Sequence, residues 1–296
     1  MNRLLFITVF LITAGSACAD QGENQSPGVK AVPDGYELAW ADEFDQHICP
    51  SPSNWRHEKG FIRNRELQWY QPENAFCKAG VLIIQARREA KENPYFIAES
   101  DRWQENRRFA EYTSASLKTK GLRSWLYGRF EMRAKINADP GLWPVFWTLG
   151  ETGQWPAAGE IDILESYRGK LLANAAWEGD QAGNPSWDIT RRPISSFGDK
   201  WLESFHVWRM DWNADFIHLY VDDFLLNTID LRSTVNPAGL EPSNPFQHPH
   251  YLLLSLAIGG TRGGSPSQTD FPASFEIDYV RIYQRLSTET PVRISP

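Results

Sequence analysis

The run Tyr127-Gly128-Arg129-Phe130-Glu131-Met132-Arg133-Ala134-Lys135-Ile136 (YGRFEMRAKI) alternates strictly from Phe130 onward. Phe130, Met132, Ala134 and Ile136 share one face, while Glu131, Arg133 and Lys135 share the other, which is the period of two that a half-buried β-strand imposes. Similar short runs lie on both sides: Tyr36 to Phe44 (YELAWADEF), Gly80 to Arg88 (GVLIIQARR), Leu172 to Trp177, Phe205 to Trp212, Phe216 to Val221, Tyr251 to Ile258 and Phe275 to Tyr283. No stretch sustains a 3.6-residue apolar period. Many short strands separated by Gly, Pro, Asn and Asp predict an all-β chain of two packed antiparallel sheets, a β-sandwich or jelly roll, with a barrel as the alternative. Residues 34–285 contain neither a linker nor an internal repeat, so one domain is expected there. Glu89 to Glu111 and Gly179 to Ser204 are polar and aperiodic, and are expected as loops at the rims of a cleft.

A second strand carries the chemistry. Trp155 to Glu165 reads WPAAGEIDILE, with Glu160, Asp162 and Glu165 set among Ile161, Ile163 and Leu164. Side chains two apart share a face of a strand, so Glu160 and Asp162 point together, but Glu165, five positions from Glu160, points away unless a β-bulge intervenes. With one bulged residue the effective offset is four, about 13 Å along the strand at ~3.3 Å per residue, and side chains converging on a concave sheet close much of that gap. Retaining glycosidases hold two carboxyls ~5–5.5 Å apart and inverting ones ~6.5–9.5 Å, so two acids on one strand fit the retaining scheme better. The plainer reading of the trio is a ladder of solvated acids, and the tryptophans around it argue against that.

The chain has 296 residues, 23% of them charged, and a formal net charge of −7. That charge argues against a nucleic-acid or anionic-membrane binder and makes a neutral substrate the easier reading. Residues 1–19 read as a secretory signal: Arg3, then the apolar run Leu4 to Ala14, then Ala17-Cys18-Ala19, too short to span a bilayer. A lipid anchor at Cys18 is less favoured, because Gly15 stands where a bulky aliphatic is preferred. Residues 20–33 read as a flexible leader and 286–296 as a tail. A mature chain loses Arg3 and keeps Cys49 and Cys77, which an exported protein either bridges or buries as free thiols.

Thirteen tryptophans are present, and most are expected in the core. Trp143 and Trp147, four apart in GLWPVFWTLG, and Trp155 beside the acids are expected to stack on sugar rings; Trp69, Trp125 and Trp177 are weaker cases. The six histidines form no metal motif and are expected on the surface or in loops. Gly259-Gly260 and Gly263-Gly264 lack the strand–turn–helix context of a nucleotide site and read as a tight loop.

With these residues in view, the chain resembles glycoside hydrolase family 16, in its laminarinase-like (endo-β-1,3-glucanase) branch. The resemblance covers most of 36–284 and rests on E-x-D-x-x-E at Glu160, Asp162 and Glu165, NRELQWY at Asn64 to Tyr70, YTSASLKTKG at Tyr112 to Gly121, YGRFE at Tyr127 to Glu131, WPVFW at Trp143 to Trp147 and IDYVRIY at Ile277 to Tyr283. It implies a β-jelly roll with a concave cleft, a retaining mechanism with Glu160 as nucleophile, Glu165 as acid/base and Asp162 between them, and no cofactor for catalysis. It also implies Trp143, Trp147 and Trp155 near the subsites before the cleaved bond, polar contacts from Asn64 and Glu66, and a structural calcium mapping to Glu43, Gly80 and Asp278. Two departures touch the substrate: Ala176-Trp177 stands where a His-Trp pair is common, and Ser255 where Asn is common.

The expected function is a secreted or periplasmic retaining endo-glycosidase acting on β-1,3- or mixed β-1,3;1,4-glucan, as a monomer with a polysaccharide as its partner. An alternative is a galactanase of the agarase, porphyranase or carrageenase kind, for which Arg168, Arg191, Arg192 and Arg262 are the candidate cations. A third, from another class, is a lectin-like sandwich that binds carbohydrate without cutting it.

Overall fold

The computed structural model describes residues 32–286; the expected signal, Cys18 and nearly all of the leader and tail lie outside that range. In chain order the main strands are β1 (Tyr36–Asp42), β2 (Arg56–His57), β3 (Ala75–Lys78), β4 (Val81–Ala86) and β5 (Ser116–Lys118). There follow β6 (Gly128–Lys135), β7 (Leu142–Gly150), β8 (Glu160–Tyr167), β9 (Lys170–Glu178) and β10 (Pro185–Pro193). The last are β11 (His206–Trp212), β12 (Phe216–Val221), β13 (Phe224–Asp230), β14 (His250–Ile258) and β15 (Ala273–Arg285).

They form two antiparallel sheets. The outer sheet has the order β13-β12-β11-β6-β15-β4-β3, with β1 also paired to β15. The inner sheet has the order β10-β9-β8-β7-β14-β5-β2. Non-sequential neighbours, such as β7 beside β14 and β6 beside β15, are what an antiparallel jelly roll requires, and the sandwich expectation holds.

The alternation in β6 shows why the sheets stack. Phe130, Met132 and Ala134 are fully buried, in one core with Phe146, Ile161, Ile163 and Leu164 of the inner sheet and Trp208, Phe275 and Ile277 of the outer one. Burying a side chain of this size stabilises the fold by roughly 1.5–3 kcal/mol. On the outer face, cross-strand ion pairs take over: Arg129 with Asp211 at 2.6 Å, Arg133 with Asp278 at 2.7 Å, Lys135 with Glu276 at 3.1 Å. Cys49 and Cys77 are joined in a disulfide with Cα atoms 5.5 Å apart.

Three expectations change. Gly179 to Ser204 is not one loop, because Pro185–Pro193 pairs along the whole of β9 as the edge strand of the inner sheet. A strand at Phe224–Asp230 was not anticipated. His250 is not a surface or loop histidine: it is fully buried on β14, with Nδ1 2.9 Å from the Thr148 hydroxyl, and burial lowers its pKa to about 4.

Candidate active site

The bulge that the acid spacing demands is present in β8. Across β7, Trp147 faces Asp162 while Phe146 faces Leu164, so Ile163 is the extra residue; across β9 the register shifts between Asp162 and Glu165. Ile163 and Leu164 are consequently both in the core, and Glu165 returns to the face of Glu160 and Asp162. The bulge turns an odd spacing into a shared face.

That face is the floor of a cleft of about 460 Å³. Trp143 and Trp147 rise from β7, Tyr167 ends β8, Asn174 lies on β9, and Trp187, Ile189 and Arg191 lie on β10. Ser255 and Ala257 of β14 continue the floor, and Arg63, Asn64 and Glu66 close the far end. Trp155 stands at the Glu160 side on the loop between β7 and β8, and is 47% exposed. Gly159 ends that loop at φ +79, where an added Cβ would lie 2.7 Å from Pro245. A larger residue there would displace the lead into Glu160.

The carboxyls are densely partnered. Asn174 Nδ2 donates to Asp162 Oδ2 at 3.2 Å and to Glu165 Oε2 at 2.8 Å, which places those two oxygens within about 6 Å of each other. Trp143 Nε1 donates to the other Glu165 oxygen at 2.9 Å, and Trp147 Nε1 to the Ser255 hydroxyl at 3.2 Å. Glu160 accepts from the Trp155 indole and shares a hydrogen bond with Asp162. Burial is the largest influence on all three and pushes every pKa up: Asp162 to about 6, Glu165 to about 8, and Glu160 well above the usual carboxylate range. Mutual repulsion adds to this for Glu160 and Glu165, while the Asn174 and indole donors oppose it. The trio therefore holds fewer than three charges at neutral pH, and its protons belong to the cluster.

Of the expected contacts, Asn64, Glu66, Trp143, Trp147 and Trp155 line the cleft; Trp177 does not. Asn174, paired with Asp162, fixes the cleft face of β9 on even numbers, so Trp177 points inward and packs against the core. Trp69 and Trp125 are also buried away from the cleft. Arg63, Tyr167, Asn174 and Trp187 were not singled out in sequence. Arg63 is held by Glu58, which also accepts from Ser116 and Lys118, and its guanidinium lies 5.0 Å over the Trp147 ring. The only sequence signal for it is its place two residues before Arg65 in the NRELQWY lead-in. Glu89 to Glu111 contributes from behind: Arg107 donates to the Glu66 carbonyl at 2.6 Å and the Arg65 carbonyl at 3.0 Å.

Glu43 and Gly80 lie just beyond the ends of β1 and β4, which pair in succession along one side of β15, and Asp278 lies on β15 between those two pairings. The two carboxylates are already paired: Arg281 holds Glu43 at 2.7 Å and 2.8 Å, and Arg133 holds Asp278 at 2.7 Å, which leaves backbone carbonyls as the free oxygen donors there. No group of three or more His, Cys, Asp or Glu suited to a metal occurs among the described residues.

The family model for glycosyl hydrolases family 16 matches residues 78–281. The chain belongs to that family. A β-glucanase of Rhodothermus marinus is 33% identical over 305 residues, spanning 96% of each chain. The laminarinase catalytic domain of Thermotoga maritima superposes with a TM-score of 0.72 at 32% identity, covering 86% of this chain and 100% of that one. A structure described with endo-acting O-glycanases of the human gut microbiota that initiate mucin breakdown gives 0.77 at 33% identity, covering 86% and 92%. The family-16 chain is thus a glycoside hydrolase of the laminarinase type, a class that needs no cofactor for catalysis. Among the described residues, no helix is long and apolar enough to cross a membrane.

Proposed function

We propose that this family-16 chain is a retaining endo-glycosidase that cuts β-1,3- or mixed β-1,3;1,4-glucan, with residues 34–285 as its catalytic domain. The observation that carries the reading is the bulged strand that sets Glu160, Asp162 and Glu165 together on the cleft floor. Glu165, with its pKa near 8, holds a proton through the neutral range and gives it to the departing glycosidic oxygen. Glu160 attacks the anomeric carbon as that C–O bond breaks, forming a glycosyl ester. In the resting cluster burial keeps the proton on Glu160 and the charge on Asp162, so Glu160 becomes the nucleophile as that proton passes along their shared hydrogen bond to Asp162. Water then attacks the same carbon, Glu165 takes its proton, and Glu160 leaves as carboxylate, with net retention.

Trp143 and Trp147 offer flat apolar surface to pyranose rings, Trp155 covers the Glu160 side, and Asn64 and Glu66 supply polar contacts at the far end. The disulfide supports export to an oxidising compartment, secreted or periplasmic. The working state is taken as a monomer. The arginine-held carboxylates of Glu43 and Asp278 weigh against a resident calcium.

The decisive experiment is reducing-sugar release from laminarin, lichenan, agarose, porphyran and carrageenan, with Glu160→Gln as control. Cutting of laminarin or lichenan by the wild type, lost by about 10³-fold or more in the variant, is expected. Cutting of the galactans alone would replace the glucanase by a galactanase, and tight binding without turnover would make the protein a lectin.

A further inference from the structure

One wall of the cleft is cationic. Tyr167 ends β8 two residues past Glu165, and Leu172 of β9 pairs with Glu165 on one side and with Arg191 of β10 on the other. Arg191 hydrogen-bonds the Tyr167 hydroxyl, and its side chain is largely exposed to the cleft. Arg262 reaches the same wall from the turn Gly260–Gly263 after β14.

That turn is rigid. The Thr261 amide donates to the Asn64 carbonyl at 2.9 Å and the Gly259 amide to the Gly141 carbonyl at 2.8 Å. Gly260 sits at φ +66, where a Cβ would come within 2.7 Å of the Asn64 carbonyl oxygen. Only glycine fits there without a shift, which fixes the backbone from which Arg262 projects to the cleft. Arg168 stands behind, its side chain packed against Gly264.

None of these three guanidinium groups has a salt-bridge partner among the described residues, unlike Arg63, Arg102, Arg129, Arg133, Arg209, Arg232 and Arg281. Glu165, which feels the Arg262 charge, is held largely protonated by burial and offers that arginine little counter-charge. In a chain of net charge −7, converging unpaired arginines repel one another at some cost to stability, and a neutral glucan gives no return for that.

We propose that Arg191 and Arg262, with the Tyr167 hydroxyl between them, form an anion subsite on the Glu165 wall that receives a sulfate or carboxylate group carried by the polysaccharide. Guanidinium forks match both groups in bidentate geometry. The proposal rests on the cleft being the polysaccharide site, and extends the substrate from plain glucan to acid-bearing chains.

The test is binding by full-length Glu160→Gln, which does not consume its ligand, in affinity gels cast with neutral laminarin, sulfated laminarin or laminarin oxidised to uronate at its primary alcohols. At least one acidic polymer is expected to bind about tenfold more tightly than neutral laminarin at low ionic strength, with the ratio falling in ~0.5 M salt. The sulfate and uronate arms identify which anion is preferred. In the Arg191→Gln/Arg262→Gln background that ratio is expected to drop to about one, and Arg191→Lys/Arg262→Lys to recover part of it. A ratio of one in the parent, or a ratio untouched by the glutamines, overturns the subsite. Wild-type cutting of neutral laminarin is scored separately: cutting with a ratio of one removes the subsite and keeps the glucanase, whereas no cutting with an arginine-dependent ratio does the reverse.

Discussion

Replacing Asn174 by Ala should move the whole pH profile of the enzyme upward. Its amide nitrogen is the one donor shared by Asp162 and Glu165, at 3.2 Å and 2.8 Å, and both bonds favour the ionised carboxylate over the acid. A hydrogen bond to a charged group contributes about 1.5–3 kcal/mol, and part of it survives when the acceptor is protonated. The difference between protonation states is therefore on the order of 1.4 kcal/mol, or about one pKa unit. The wild-type kcat/KM should fall on the acid side as the Asp162–Glu160 pair takes up its last proton near pH 6, and on the alkaline side as Glu165 loses its own near pH 8. Without the amide both limbs move up by about one unit, the alkaline limb more because its bond is shorter. The measurement is kcat/KM on a soluble β-glucan between about pH 4 and 10, with Ser255→Ala, which touches Trp147 and no carboxyl, as the control. A limb that moves down, or a profile that only loses height, would refute the account of how these acids are tuned.

Glu165→Gln should stabilise the fold while abolishing most turnover. Because the folded pKa of about 8 exceeds the ordinary 4.5, this glutamate costs stability as pH rises between those values. The gain in stability should therefore be small at pH 5 and larger at pH 8.5, up to a few kcal/mol by denaturant titration. Cys77→Ser opens a cross-link between residues 28 apart and should lower stability by about 3 kcal/mol in the same assay, an effect that a reductant reproduces in the wild type. Calcium and EGTA should leave Tm and activity alike, since Glu43 and Asp278 already have arginine partners; a rise of several degrees in calcium would show that they exchange them.

The acids were legible because Glu160, Asp162 and Glu165 alternate with aliphatics in a pattern that a solvated surface has no reason to keep. The bulge followed from parity alone. Trp177 was misplaced for a related reason: which face a β9 residue takes depends on the pairing of Asn174 with Asp162, and nothing within β9 itself states it. Pro185–Pro193 escaped notice because it is an edge strand with one side on the open cleft, so its alternation of Trp187, Ile189 and Arg191 with Ser186, Asp188 and Thr190 carries little apolar contrast. Asp188 even spends its carboxylate on Asn227. Asn174 and Arg63 owe their roles to partners far along the chain, as does the closure of Cys49 on Cys77, which sequence left open between a bridge and two thiols.

The bulge in β8 also separates two properties that usually travel together. Deleting Ile163 would leave E-x-D-x-E, a regular strand in which all three acids still face the cleft, with one fewer aliphatic in the core and the local bend gone. Such a chain would possess all three of the proposed catalytic acids and lack only their aim. Ile163, the fourth residue of this hexapeptide, is thus a matter of direction, and the length of the motif encodes an angle that no substitution within it can write.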